Sequence, residues 1–440
     1  MLYDAQGLAV TTDSPAAIQS INHFIDQSLL YGNAAEPAIL QALTADRSCA
    51  IAHAYAAAYF LSQETAIGWQ QAQPHVKAAR YHDSEATERE QWYIQAIVAW
   101  AKGDINQALT YHRQLAQQYP RDLISVQQGQ YHYFYQGNAT QLRQIAEIVF
   151  PMNQDRHYLY GMLAFGLEQC GELDRAEAIG RQAVAMNRHD PWAHHAVAHV
   201  LEQQGRVEAG ITWMEGLADT WDGCNSMLYT HNWWHIALYY LVLEDWQTIL
   251  QLYDHHIWGR ADHTASKDLV GAIATLLRLE LQGTEVGDRW QKLLPSLQLR
   301  LHEHALAFQD LHYIYALARI GCPTLVKEML QSLTTHIATL PPTQQAIWLN
   351  VALPAARGMV AHANCDWSTT ITELQTVLPQ LSQLGGSHTQ RQLFQQLYQD
   401  AIQQNEQSYK HSKLDRSKHL KFSPMSPMRT LSPKLAVQVS

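Results

Sequence analysis

Two pairs of histidines, each with a four-residue spacing, are the residues of this sequence best suited to chemistry. The first pair is His195 and His199, and the second is His231 and His235. Residues four apart on an α-helix lie on one face with Cβ atoms about 5–6 Å apart, so each pair could share a metal ion or a water molecule. Imidazole also exchanges protons near neutral pH. The spacing therefore indicates a candidate site and leaves its chemistry open.

A second group of candidate ligand-binding residues lies in one later segment. His304 and His312 are about two helical turns apart, which would place them on the same face of one helix. Asp310 could supply a carboxylate ligand or a base, although its six-residue spacing from His304 does not favour a shared face.

Arg391 is a candidate for binding an anionic group. It lies one turn into a predicted helix that begins near His388, directly after Gly385, Gly386 and Ser387. The free backbone N–H groups of a helix N-terminus can hold an anion. The same residues are also explained by a turn between helices with Ser387 as N-cap. A Gly-Gly-Ser segment alone is not a phosphate-binding loop.

The elements that must carry these residues are helices in a repeating unit. Gly103, Gly137, Gly171 and Gly205 recur at intervals of 34 residues, which is the period of the tetratricopeptide repeat. Small residues keep the same register where two helices must pack closely; they are Ala96, Ala108, Ala164, Ala176, Ala198 and Gly210. Abundant Ala, Leu and Gln also favour helices. The sequence predicts an all-α, tetratricopeptide-like superhelix without a β-sheet.

The repeat register predicts which candidates face the concave groove. The first helix of each tetratricopeptide unit lines this groove, mainly through its second, fifth, ninth and twelfth positions. The register places six candidates on or beside the groove wall: His53, His195, His199, His231, Trp234 and His235. Histidines that are distant in sequence could therefore converge on one cavity.

Composition limits the classes of partner. The formal net charge of −10 makes a nucleic acid an unexpected partner for the body of the protein. The five cysteines are scattered without a Cys-x-x-Cys pair, which argues against a disulfide framework or a thiolate zinc site. We find neither a signal peptide nor an apolar stretch of membrane-spanning length. We therefore expect a cytoplasmic protein without a membrane partner.

Two regions are predicted from the change in composition along the chain. Residues 1–405 read as one tetratricopeptide-like domain, with the clearest repeats at 89–220. Residues 406–440 are rich in Lys, Arg and Ser-Pro pairs and lack apolar periodicity. This composition is typical of a disordered basic tail.

Several segments resemble the tetratricopeptide repeat protein 38 family. They include WAHHAVAHV at 192–200, HNWWHIALY at 231–239 and RWQKLLP at 289–295, with further segments at 89–103, 165–187, 252–257, 304–312 and 384–391. The resemblance covers roughly residues 11–398 in order. It implies a helical-repeat fold and supplies no catalytic residues.

Three interpretations of the histidines remain open. They could be hydrogen-bonded core residues, the wall of a recognition groove for a peptide or a small polar ligand, or an active site with metal or acid–base chemistry. The sequence lacks His-Glu-x-x-His and every nucleotide-binding signature, so we assign neither a metal nor a cofactor. We favour a binding protein, with an enzyme such as a hydrolase as the alternative. Histidines within metal-ligand distance would strengthen the alternative, and a closed cavity would favour a small ligand over a peptide.

Overall fold

The protein is almost entirely helical. The structure is a computed structural model that describes residues 1–420, with side chains described as far as residue 410. These residues form 23 α-helices and one antiparallel pair of two-residue strands, β1 Leu2–Tyr3 and β2 Ala9–Val10. The all-α prediction is confirmed, and this short hairpin is the departure from it within residues 1–420. Strands of two residues are too short to show an alternating sequence pattern.

The first half of the chain is a series of helical hairpins. In order, its helices are α1 Pro15–Leu29, α2 Ala35–Ala45, α3 Ala50–Leu61, α4 Ala66–Tyr81, α5 Glu88–Ala101, α6 Ile105–Gln118, α7 Leu123–Tyr135, α8 Ala139–Val149, α9 His157–Gln169, α10 Leu173–Met186, α11 Pro191–Gln203 and α12 Val207–Glu215. One helix pair cannot bury its apolar stripe alone, and stacking the pairs completes a continuous core.

The second half keeps the helical pattern with shorter and less regular elements. Its helices are α13 Ser226–Val242, α14 Trp246–Leu252, α15 Ser266–Leu281, α16 Arg289–Lys292, α17 Leu294–Gln298, α18 Ala307–Ile320, α19 Pro323–Thr339, α20 Pro342–Ile347, α21 Leu353–Ala363, α22 Trp367–Val377 and α23 His388–Leu420. One π-helical turn, Tyr253–Ile257, follows α14, and another, Trp348–Ala352, joins α20 to α21.

The repeated glycines end the first helix of each regular hairpin. Gly103, Gly137, Gly171 and Gly205 follow α5, α7, α9 and α11 with φ angles of +77°, +66°, +78° and +68°. A left-handed residue at this position stops a helix, and glycine adopts it without steric cost. The alanines of the same register are fully buried between helices. The 34-residue period is thus explained by one turn geometry repeated four times.

Contacts between early and late helices close the superhelix on itself. Glu64, after α3, lies 3.0 Å from the Lys267 Nζ of α15 and accepts a hydrogen bond from Gln309 of α18. The backbone N–H of Asn33 donates to the carbonyl of Gly223 at 3.0 Å. The two halves therefore surround a central space instead of forming an open arc.

The predicted boundary of the tail falls within the last helix. α23 runs from His388 to Leu420, so residues 406–420 continue that helix in the structure. Residues 421–440 of the predicted basic tail lie outside the described residues. The two-region division stays a prediction.

Candidate functional site

The two histidine pairs lie on the helices α11 and α13, which pack against each other. α11 begins after Asp190, whose side chain accepts a hydrogen bond from the N–H of Ala193 at 3.0 Å. α13 begins after Asn225, which caps the N–H of Leu228 at 3.0 Å in the same way. The caps fix where each helix starts. The pairs face each other across the interface between these two helices, where His195 contacts His231.

The four imidazole rings converge on one point. Nε2 of His195 lies 3.0 Å from Nε2 of His199 and 3.1 Å from Nε2 of His231. One ring nitrogen from each of these residues and from His235 lies within 4.8 Å of all the others. His195, His199 and His235 are buried, and His231 is partly exposed. The structure therefore brings together all four members of the predicted pairs.

The ring nitrogens of this cluster do not all have hydrogen-bond partners within the described part of the protein. A neutral ring nitrogen carries either one hydrogen or one lone pair in the ring plane, so Nε2 of His195 can make one well-directed bond to its two imidazole neighbours. Among the described residues, Nδ1 of His195, Nδ1 of His199 and both ring nitrogens of His235 have no hydrogen-bond partner. Buried polar atoms without partners are uncommon in native proteins and call for an explanation.

Two acidic side chains lie beside the cluster, the buried Glu168 and the partly buried Glu202, and the sequence reasoning missed both. Oε1 of Glu168 lies 3.6 Å from Nδ1 of His199, and Oε2 of Glu202 lies 3.6 Å from Nδ1 of His235. Gln169 donates a hydrogen bond to Glu168 at 2.6 Å. A signal was present, because Glu168 and Glu202 are 34 residues apart and so occupy the same repeat position.

Burial controls the protonation of the cluster. Burial, reinforced by the other rings for His195, His199 and His231, lowers the pKa of all four imidazoles, and that of His235 falls to about 3. The rings are therefore neutral at pH 7, which is the form that coordinates metals. Burial also raises the pKa of Glu168 to about 8.

The cluster opens onto a cavity of about 470 Å³ at the centre of the superhelix. His195, His199 and His231 form part of its wall. Aromatic rings cover much of the remainder: Phe24, Tyr31, Tyr59, Trp100, Tyr131, Phe134, Tyr135, Phe165, Trp192, Trp234 and Phe308. Amide groups lie between them from Gln27, Gln63, Gln127, Gln128, Gln130, Gln309 and Gln390. The wall thus alternates flat apolar surfaces with hydrogen-bonding groups.

Trp234 and Arg278 form the wall next to the cluster. The Trp234 ring stacks on His231 with centroids 5.1 Å apart and an interplanar angle of 15°. The guanidinium of Arg278, which sequence reasoning missed, lies 5.3 Å from the Trp234 centroid and donates to the carbonyls of Ala274 and Thr389. Burial lowers the pKa of Arg278 to about 10, so it remains charged at neutral pH. Trp234 is thus placed on the cavity wall, as predicted.

His312 lies on the same cavity wall, whereas His53 lies elsewhere. Nδ1 of His312 donates to the carbonyl of Phe308 at 2.8 Å, and burial lowers the pKa of His312 to about 4. His53 instead forms a separate pair with His75 of α4, with 3.1 Å between their Nδ1 atoms. Its Nε2 lies 3.0 Å from the carbonyl oxygen of Arg47.

His304 and Asp310 form a separate buried contact away from the cavity wall. The expectation that His304 and His312 share one helix is wrong, because α18 begins at Ala307 and His304 precedes it with a φ of +46°. This turn brings Nδ1 of His304 to 2.8 Å from Oδ2 of Asp310. Nε2 of His304 lies 2.8 Å from the hydroxyl of Ser332, so both ring nitrogens have partners.

Arg391 lies near the first turn of α23, outside the cavity wall. It donates to the carbonyl of Gly386, and its NH2 lies 3.4 Å from Nδ1 of His388. The Ser387 hydroxyl accepts from the N–H of Gln390 at 3.3 Å, which confirms the predicted N-cap. Burial lowers the pKa of Arg391, and Glu168 opposes that shift. The structure therefore links Arg391 to the cluster only through the field of Glu168.

These features define the class of the protein as a tetratricopeptide-like helical-repeat protein. No model of a known protein family matches the chain. Among solved structures, a human IFIT1 dimer with m7Gppp-AAAA is similar at 11% identity and a TM-score of 0.41, covering 92% of this chain and 96% of that one. A structure of Naa15/Naa10 bound to HypK-THB is similar at 12% identity and a TM-score of 0.26, covering 91% of this chain and 64% of that one. Among the described helices, none has the length and apolar character needed to cross a bilayer.

Proposed function

We propose that the protein binds a small polar molecule inside the central cavity of its superhelix. The observation that supports this function is a cavity inside the superhelix that is lined by histidine, aromatic and glutamine side chains. Its volume of about 470 Å³ lies within the usual range for small-molecule sites, roughly 300–1,000 Å³. A peptide partner would instead favour a groove open at both ends, and contacts such as Glu64–Lys267 join the two halves of this chain.

The wall favours a ligand with a flat apolar portion and several hydrogen-bonding groups. Aromatic rings provide contact area, and amides can both donate and accept. Besides the histidine nitrogens, two buried polar atoms of wall residues have no hydrogen-bond partner among the described residues: Nε1 of Trp234 and Oε1 of Gln128. A bound polar molecule would supply both with partners, which is favourable because a buried unpaired group costs about 1–3 kcal/mol.

The function can be tested by identifying a ligand and then removing one contact. Native mass spectrometry of the purified protein, followed by a thermal-shift screen of small polar metabolites and of peptides, should yield a small-molecule ligand. Trp234→Phe keeps the aromatic face but removes the unpartnered indole N–H, so we expect roughly tenfold weaker binding.

A matched control is Trp290→Phe. Trp290 is also buried with an unpartnered Nε1 but does not contribute to the cavity wall. Ligand binding should survive this change. Peptides that bind while small molecules do not, or equal losses in both variants, would contradict the proposal.

An enzyme that uses the same cavity is the second candidate function. It is favoured by one observation, the four imidazole nitrogens within 4.8 Å of one another, three of which belong to residues of the cavity wall. A panel of ester, amide and phosphoester substrates tests it. Turnover that disappears in His231→Ala and survives in His53→Ala would support a hydrolase, and the absence of turnover with a bound ligand would favour simple binding.

We also propose that the chain is a divergent member of the tetratricopeptide repeat protein 38 family and acts in the cytoplasm. Two of the segments that carry the resemblance, 192–200 and 231–239, contain the four histidines. A solved structure from that family with equivalent histidines would support membership. With the acidic body, we expect no nucleic acid partner, and a gel-shift assay with RNA and DNA tests this expectation.

A further inference from the structure

We propose that His195, His199, His231 and His235 together bind one divalent transition-metal ion, of the zinc class, at the wall of the cavity. The sequence alone assigns no metal and leaves open whether the histidine pairs bind one. The metal site does not depend on the small-molecule ligand, because all four donors come from the protein.

The spacing of the ring nitrogens fits a tetrahedral ion. Zinc binds histidine nitrogen at about 2.0–2.1 Å, so two nitrogens on a tetrahedral ion are about 3.3 Å apart. The two Nε2–Nε2 distances at His195 are 3.0 and 3.1 Å, and all four candidate atoms lie within 4.8 Å of one another. Small rotations of the rings would bring all four to bonding distance.

A shared metal ion would give the converging ring nitrogens a common partner. Nε2 of His195 is approached by two other imidazole nitrogens at once, and a single ring nitrogen can make one well-directed hydrogen bond at most. A metal ion accepts one lone pair from each ring. It would thereby give a partner to one of the two ring nitrogens of His235 that have none among the described residues.

Glu168 and Glu202 lie where the carboxylates that orient metal-bound histidines usually lie. Metal-bound histidines usually donate their other N–H to a carboxylate, which orients the ring and strengthens the bond to the metal. Glu168 and Glu202 each lie 3.6 Å from a ring nitrogen, of His199 and His235 respectively.

The donor set selects the class of metal. Imidazole nitrogen suits Zn²⁺, Cu²⁺, Fe²⁺ and Ni²⁺, whereas Ca²⁺ and Mg²⁺ prefer oxygen ligands. Three of the four histidines also belong to the cavity wall, so the ion would lie next to any molecule bound there. A single ion could therefore join the helices α11 and α13 and contribute to the site.

The test is direct measurement of metal binding by the full-length protein produced without a polyhistidine tag. Metal content is measured by inductively coupled plasma mass spectrometry on the purified protein. Protein stripped with a chelator is then titrated with ZnCl₂ by calorimetry and with CoCl₂ by visible absorption. We expect one ion per chain and the strong visible bands of tetrahedral cobalt.

Variants assign the ligands. His231→Ala, which changes the most exposed ligand, and His199→Gln should each weaken zinc binding by roughly a hundredfold or more. The matched control is the double variant His53→Ala/His75→Ala, which removes another histidine pair with 3.1 Å between ring nitrogens. Its zinc affinity should equal that of the wild type.

Several results would overturn the site. The site would be wrong if the wild type binds zinc no more tightly than His231→Ala does. It would also be wrong if the control variant His53→Ala/His75→Ala weakens zinc binding as much as the ligand variants do. A cobalt spectrum of the wild type that is identical to that of the aqueous ion would also overturn the site. This measurement needs only the wild type, so it remains decisive if a variant fails to fold. Because these measurements use no small molecule, they can fail while the ligand screen succeeds, and the reverse.

Discussion

Two buried histidine sites in this protein look alike in composition and differ in how their ring nitrogens are used. His304 packs beside α18 with Nδ1 2.8 Å from Asp310 and Nε2 2.8 Å from Ser332. In the cluster between α11 and α13, each of the two described nitrogen contacts joins one imidazole to another. The first site is complete within the protein, and the second is not.

The comparison shows which observation separates a structural histidine from a ligand. Burial does not, because His304 and His199 are 4% and 1% exposed. A nearby carboxylate does not either, since Asp310 and Glu168 accompany the two sites. An unpartnered nitrogen alone does not either, because His112, outside both sites, also has one among the described residues. What separates the cluster is that four rings converge and several of their nitrogens lack partners together.

The largest expected difference between the two sites is in stability. His304→Ala leaves the buried Asp310 carboxylate without its side-chain partner, whereas the Ser332 hydroxyl keeps its 2.9 Å contact with His302. We therefore expect a loss of about 3 kcal/mol in the free energy of unfolding. His231→Ala removes a partly exposed ring from a cluster that lacks full hydrogen bonding, and in metal-free protein it should cost about 1 kcal/mol or less. Urea denaturation of metal-free protein measures both.

Zinc content should distinguish the same two variants in the opposite sense, because the variant that loses less stability should lose more zinc. His304→Ala should retain the zinc of the wild type wherever it folds, and His231→Ala should lose it. Equal stability losses in the two metal-free variants would mean that both histidines are structural, and the comparison would then fail.

The sequence predicted the helices of both regions and little of their contacts. The 34-residue glycine spacing locates the turns because a left-handed residue is required at each one. The repeat register also places His195 and His231 on the groove wall of successive first helices, at the fifth and the second position of their units. These inferences need only local geometry and a repeat, and the structure confirms the helical fold that follows from them.

Features that depend on non-local contacts could not be predicted in this way. The cavity exists because residues far apart in sequence, such as Glu64 and Gln309, meet across the superhelix. His304 contacts Asp310 because a residue with positive φ precedes α18, and no local pattern indicates such a turn at a histidine. Glu168 and Glu202 could have been found from their shared repeat register, since both fall at one position of the unit.

Zinc should stabilise the cluster region and leave the His304 site unaffected. An ion that binds the folded chain alone adds RT ln(1 + [L]/Kd), or about 2.7 kcal/mol at a free concentration one hundred times Kd. Thermal unfolding with buffered zinc should therefore shift upward for the wild type and for His53→Ala. It should not shift for His231→Ala, and a shift of equal size there would place the zinc elsewhere.

The two carboxylates behind the cluster should tune the affinity for zinc without being ligands. Glu168→Gln and Glu202→Gln each keep the side-chain shape, and we expect zinc binding weakened by about 10–100-fold. Glu280→Gln is the matched control, since Glu280 pairs with Arg319 at 2.7 Å on the surface. Calorimetry on stripped protein gives the three affinities. Unchanged affinity in the first two variants would mean that the carboxylates serve only the apoprotein.

The smallest expected effect concerns burial alone, and His112 isolates it because it belongs to neither site. Its Nδ1 lies 2.9 Å from the Ser125 hydroxyl, and burial lowers the pKa of His112 from 6.5 to about 3. Between pH 6.5 and 3 the unfolded chain binds a proton here that the folded chain does not. The stabilising contribution is therefore complete above pH 6.5 and falls as the pH decreases, by at most about 1.4 kcal/mol per pH unit.

His112→Gln should make stability, measured by urea denaturation from pH 7 to pH 5, fall less steeply than in the wild type. Parallel curves would show that His112 becomes protonated in the folded protein, and that burial alone does not keep an imidazole neutral here.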